Sequence, residues 1–176
     1  MKYLLPVLFF LMFIASVVFA QDKNADSRGV FVEALTATKF AVLIGVDDYA
    51  HIKPLRYTKN DVEALRDQLL AVGFDPDNVV TLTSALETKN RPTKRNIETV
   101  IGGMLNVAQE GDFILIHLSG HGAEFGGEAR FCPEGAKESD LQATTVSIKA
   151  IYEAMGRSKV TCKLMIVDAC RENPLE

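Results

Sequence analysis

Two stretches decide the fold: residues 113–122, FILIHLSGHG, and residues 163–171, KLMIVDACR. The first opens on a continuous apolar run suited to a strand buried on both faces, and the second carries a strand-like apolar run from Leu164 to Val167. Each then runs into residues that carry chemistry: Ser119-Gly120-His121-Gly122 in one, Asp168-Ala169-Cys170-Arg171 in the other. The predicted strands are 113–119 and 163–169.

Working outward, KFAVLIGV (39–46) reads as another fully buried strand and NVVTLT (78–83) as a further one. Between them, TKNDVEALRDQLLAVGF places Val62, Leu65, Leu69 and Val72 at helical spacing, with Gly73 as a C-terminal cap and Asp75-Pro76 as a turn. TKRNIETVIGGMLNVAQ predicts a second amphipathic helix, capped by Thr93, with Ile97, Val100, Ile101, Met104, Leu105 and Ala108 on its apolar side. Residues 120–140 read as a glycine-rich loop, and TTVSIKAIYEAM (144–155) as a third helix. The order β-α-β-α-β-loop-α-β implies right-handed crossovers: an α/β fold with a mainly parallel sheet and helices on both faces.

The 176 residues are 48% hydrophobic, with 24% charged, which suits one globular domain. Residues 1–20, MKYLLPVLFFLMFIASVVFA, read as a signal peptide. It has an early Lys2, an apolar stretch, and Val18-Phe19-Ala20 at a site for cleavage after Ala20. The alternative is an uncleaved membrane anchor. Either way the domain, 39–176 after a polar linker at 21–38, is expected to be exported. The net charge of −4 becomes −5 without Lys2. An acidic chain lacks the electrostatic footprint of a nucleic-acid binder.

Three cysteines, Cys132, Cys162 and Cys170, leave two arrangements open. In one, Cys132 pairs with Cys162 and Cys170 stays free. In the other, all three are reduced.

In open parallel sheets, functional groups collect past the carboxyl ends of the strands. If strands 113–119 and 163–169 are neighbours, they lie about 4.8 Å apart, and His121 and Cys170 face each other across that gap. A nucleophilic cysteine needs a thiolate, which a nearby imidazole can generate or pair with. The flanking glycines free the backbone to turn sharply and expose N–H groups suited to an oxyanion, with the N–H of Cys170 as a second donor. Other chemistries fit less well. His117 and His121 are four apart on a strand without the HExxH glutamate, so no metal site is assigned. The glycines match neither Walker A nor GxGxxG, and no G-x-S-x-G elbow is present.

FAVLIGVDDY, LRYTKNDVEAL, HLSGHG and VDACRENP together resemble the catalytic subunit of caspase-like cysteine peptidases, most closely bacterial metacaspase-like members. The resemblance spans roughly residues 39–174. Caspases place their histidine about fifty residues before the cysteine; here His121 and Cys170 are 49 apart. The resemblance implies a caspase-like three-layer sandwich and a cysteine endopeptidase. Cys170 would be its nucleophile, His121 its acid–base partner, and the N–H groups of Gly122 and Cys170 its oxyanion hole. Where caspases have glutamine two before the cysteine, this chain has Asp168. In metacaspases that aspartate, with Asp61 and Ser119, lines an acidic S1 pocket. This implies cleavage of protein or peptide substrates after Arg or Lys, consistent with carboxylates pairing with a guanidinium or ammonium. A purely structural account makes Asp61 a helix N-terminal residue and Asp168 a partner of Arg171.

Family members continue past the cysteine into a smaller C-terminal portion. Its strands are missing here, so strand 163–169 is expected to be an uncovered edge. The alternative function is therefore an inactive caspase-fold interaction module, or a fragment dependent on a separate C-terminal portion. No cofactor is expected; calcium dependence is known in some metacaspases, but no site is assigned.

Overall fold

The computed structural model describes residues 37–84 and 88–170. The expected signal segment, and all of the linker except residues 37 and 38, lie outside them. Thr38 is already tied to the domain: its N–H donates to the Asp112 carboxylate at 3.0 Å, and its carbonyl accepts from Phe113. Among the described residues no helix is long and apolar enough to cross a membrane.

Among the described residues six strands and four α-helices follow in the order β1 (Lys39–Gly45), α1 (Thr58–Ala71), β2 (Val79–Thr83), α2 (Lys94–Val107), β3 (Phe113–Phe125), β4 (Glu128–Phe131), α3 (Leu141–Thr144), β5 (Val146–Ser147), α4 (Ile148–Arg157) and β6 (Cys162–Cys170). β2, β1, β3 and β6 form a parallel sheet in that order, and β4 and β5 continue from the far end of β3 as an antiparallel ribbon.

The strands alternate their side chains between two cores. On one face Val42, Ile44, Ile114, Ile116 and Leu118 pack with Ile97, Ile101 and Leu105 of α2 and with Ile151 and Met155 of α4. Burying each such side chain contributes about 1.5–3 kcal/mol, which outweighs the weak propensity of β-branched residues for helix. On the other face, Ala41, Leu43, Leu115 and Val79 meet Val62 of α1. The helix boundaries follow the sequence. Thr93 Oγ1 accepts from Asn96 N–H at 3.1 Å. Gly73 takes a φ of 89°, and bonds from Gly73 N to Leu70 O and from Phe74 N to Leu69 O close the helix.

The structure corrects two expectations and decides between two open alternatives. The third strand does not stop at Ser119: β3 runs on to Phe125, so His121 and Gly122 lie inside it rather than in a loop. Residues 122–125 pair with β4 around a tight turn in which Gly126 and Gly127 both have positive φ. That pair of glycines is the signal of a two-residue hairpin. Next, the helix expected over 144–155 begins at Ile148. Val146 is drawn into pairing with Phe131, and Ser147 caps α4 through a 3.1 Å bond from Ala150 N–H. Last, of the two cysteine arrangements, the disulfide is not formed: Cys132 and Cys162 are free. Cys162 starts β6 beside Phe113, while Cys132 N–H bonds to His121 O eight residues further along β3. That separation of about 26 Å along a strand far exceeds the reach of a disulfide.

Among the described residues β6 pairs only with β3, and Leu164 and Ile166 are 45% and 40% exposed.

Candidate active site

The last rungs of the β3–β6 ladder pair Ser119 with Asp168, Gly120 with Ala169 and His121 with Cys170. The same row continues across the sheet: Ser119 pairs with Gly45 of β1, and Gly45 with Thr83 of β2. The parallel register thus brings a histidine and a cysteine 49 residues apart to one rung, about 4.8 Å between backbones.

His121 is held by two residues to which the sequence analysis assigned no role. Its backbone N–H donates to the Tyr49 hydroxyl at 2.8 Å, and that hydroxyl donates to Val46 O at 3.0 Å. The two rings lie 5.0 Å apart. Its Nε2 lies 2.9 Å from the carbonyl of Lys53. A carbonyl has no proton to give, so Nε2 carries the hydrogen and Nδ1 is left as the basic nitrogen. Burial pushes the Tyr49 hydroxyl pKa far up, so it remains a neutral donor. Neither partner has a local signal, because each lies about seventy residues from His121 in the chain.

Gly120 serves this arrangement by its missing side chain. A Cβ there would sit 2.8 Å from the Tyr49 hydroxyl and 3.2 Å from the Phe131 ring. Its φ is not positive, so close approach rather than a sharp turn demands glycine. Because His121 spends its N–H and C=O on Tyr49 and Cys132, the N–H of Gly122 points to the opposite edge, toward the strand that carries Cys170.

Asp61 stands exposed in the first turn of α1, and Asp168 is exposed on β6. How close that first turn comes to the sheet is set by Gly45, where a Cβ would lie 2.8 Å from the Thr58 carbonyl. The surroundings of this turn hold several buried polar atoms without a hydrogen-bond partner: Thr58 Oγ1, Ser119 Oγ and His117 Nδ1. These residues are 8%, 1% and 8% exposed. Thr81 and Thr83 also have unpartnered hydroxyls, but they line a separate cavity of about 370 Å³ with Glu63, Arg66 and Asp67. Native interiors rarely tolerate such atoms unless something fills the site.

The spacing of His117 and His121 in the sequence raises only the question of a metal. Among the described residues no group of three or more His, Cys, Asp and Glu is gathered as a metal would need. His117 instead lies two residues before Ser119 on β3, beside Leu43 and Ile166. Burial holds its pKa below the ordinary range, against the pull of Asp168 and then Asp61.

The chain belongs to the caspase-domain family, peptidase family C14, whose sequence profile matches residues 38–176. It is 29% identical to metacaspase-8 of Arabidopsis thaliana over 78% of this chain and 38% of that protein. It is 28% identical to metacaspase-1 of Mycosarcoma maydis over 74% of this chain and 34% of that protein. With metacaspase-4 of Arabidopsis thaliana the identity is 34%, over 52% of this chain and 22% of that protein. The chain therefore matches well under half the length of these relatives. The crystal structure of a Geobacter sulfurreducens protein shares the fold, with a TM-score of 0.60 at 20% identity, over 77% of this chain and 52% of that one.

Proposed function

We propose that this chain is the catalytic portion of an exported cysteine endopeptidase that cuts after arginine or lysine. The observation that carries the reading is the register of β3 and β6. It pairs His121 with Cys170 and, one step inward on the same side of β3, Ser119 with Asp168.

In this mechanism the Cys170 thiolate attacks the scissile carbonyl carbon. The C=O electron pair moves onto oxygen, next to the N–H groups of Gly122 and Cys170. The C–N bond breaks as protonated His121 gives its proton to the leaving amine, and a thioester remains. Neutral His121 then takes a proton from water, hydroxide attacks the thioester, and the thiolate is released. Lys53 O and Tyr49 hold the imidazole so that Nδ1 is the nitrogen that exchanges the proton. Asp61 and Asp168 attract a basic P1 side chain and repel an acidic one, with Ser119 and its unpartnered hydroxyl between them.

Among the described residues the outer edge of β6 is unpaired, which supports a second reading, a caspase-fold interaction module without turnover of its own. Fluorogenic peptides with Arg, Lys or Asp at P1, tested with and without calcium beside Cys170→Ala, separate the two. Cysteine-dependent cleavage after Arg or Lys is expected. No cysteine-dependent turnover on any peptide overturns the peptidase reading, and cleavage after Asp overturns the acidic pocket.

A further inference from the structure

We propose that His117 forms the floor of the pocket for basic side chains, and that its protonation by acid expels the cation the two aspartates attract. The inference rests on the reading of Asp61, Ser119 and Asp168 as that pocket.

His117 and Ser119 are alternate residues of β3, so their side chains leave the same face of the sheet, the face that α1 covers. Ser119 pairs with Asp168 and His117 with Ile166, so His117 lies one step deeper than the Ser119–Asp168 row. It is 8% exposed, and its Nδ1 has no partner. A side chain entering between Asp61 and Asp168 meets Ser119 first and His117 behind it. There, a neutral imidazole can present Nδ1 as an acceptor for a guanidinium or ammonium N–H.

Few other charges bear on this ring. From β6 comes Asp168 and from α1 comes Asp61; both favour the imidazolium. The β1 neighbour is Leu43 and the β6 neighbour Ile166, both apolar. On its own strand the next titratable group is His121, four residues on. Lys59 and Glu63 of α1 pair with each other at 3.7 Å on the exposed helix surface. Burial wins over the two carboxylates, so His117 is neutral near pH 7.

The consequence has a definite sign. Above its titration midpoint His117 accepts, and the two carboxylates attract the cation unopposed. Below it, the ring loses its acceptor and places a positive charge under the same carboxylates. Affinity for a basic side chain is then expected to fall as pH drops, by up to about tenfold per pH unit. A neutral side chain of the same shape is neither drawn in by the carboxylate charges nor expelled by the imidazolium, so its binding changes far less with pH.

The test uses the chain carrying Cys170→Ala, N-acetyl-arginine amide as the probe and N-acetyl-citrulline amide as its neutral counterpart. Binding is measured by calorimetry between pH 8 and pH 5, and the His117 ring signal is followed by NMR over the same range. We expect the arginine probe to shift the His117 signal and move its titration to lower pH, and the citrulline probe to do neither. In a chain that also carries His117→Gln, the pH dependence of arginine binding should flatten. A ring signal unmoved at saturating probe overturns the role of His117, as does His117→Gln keeping the parent's pH profile. If His117→Gln does not fold, the ring titration decides alone. Failure of the pocket itself looks different: the arginine probe does not bind at any pH, or binds no better than the citrulline probe, or binds equally after Asp168→Asn. Any of these overturns both readings.

Discussion

His121 and Cys170 are partners on the final rung of the β3–β6 ladder. A parallel ladder fixes their backbone separation at about 4.8 Å without any loop to adjust it. If they act as a pair, replacing either must cost most of the activity. Cys170→Ala is expected to abolish turnover of Arg-P1 peptides. His121→Ala should lower kcat by about 10²–10⁴. Steady-state kinetics with unchanged circular dichroism checks this; a His121→Ala chain with full kcat removes the histidine from the mechanism.

Tyr49 and Gly120 are expected to act through His121. Tyr49→Phe leaves the His121 N–H and the Val46 carbonyl without their shared partner. Each orphaned buried group costs about 1–3 kcal/mol. Gly120→Ala drives a methyl into the same hydroxyl, at a cost of about 1–3 kcal/mol. Urea unfolding measures the stability loss, and kcat should fall in both variants. Parent-like kcat in a folded Tyr49→Phe chain would show that the hydroxyl does not position His121.

Gly45→Ala separates packing from chemistry. The added Cβ would lie 2.8 Å from the Thr58 carbonyl and 3.0 Å from Val62 Cγ2, so α1 must move away from the sheet. Asp61 rides on that first turn. The expected outcome is a raised KM for Arg-P1 peptides with kcat less affected, alongside a drop in unfolding free energy. An unchanged KM would mean that Asp61 does not meet the substrate.

The buried His117 also bears on stability. Its folded pKa lies below the unfolded value of about 6.5, so the unfolded chain binds more protons at acidic pH. Stability is then complete above pH about 6.5 and falls as pH drops from there toward the folded value. Urea midpoints at pH 7.5 and pH 5.5 should differ more in the parent than in His117→Gln. Equal differences would exclude His117 as the source.

The thiols are expected to react unequally. Burial pushes the Cys132 pKa up to about 11, while Cys162 is exposed. In a Cys170→Ala chain, iodoacetamide at pH 8 should label Cys162 quickly, and Cys132 only after unfolding in urea. Mass spectrometry of the digested protein identifies the labelled residue. Rapid native labelling of Cys132 would contradict its burial.

The apolar runs at 39–46, 113–119 and 163–169 and the helix at 58–71 needed no tertiary information, because each signals its state through period and length alone. Thr93 and Gly73 mark their helix ends for the same reason: capping is a contact within a few residues. The glycine-rich segment resisted this reading. Its pairing with β4 depends on a turn at Gly126-Gly127, and alternation across residues 122–131 is too weak to announce a hairpin. The pull of Phe131 on Val146 likewise shortened a helix that periodicity had extended.

The sequence by itself determined the alternation of strands and helices, the parallel sheet, and the candidate chemistry of His121 and Cys170. Those are properties of local pattern and residue type. Only the tertiary structure decided that Tyr49 and Lys53 hold the imidazole, that Gly45 and Gly120 are required by close approach, and that His117 lies behind Ser119. Each of these depends on strand register and packing between segments far apart in the chain, which local periodicity does not encode.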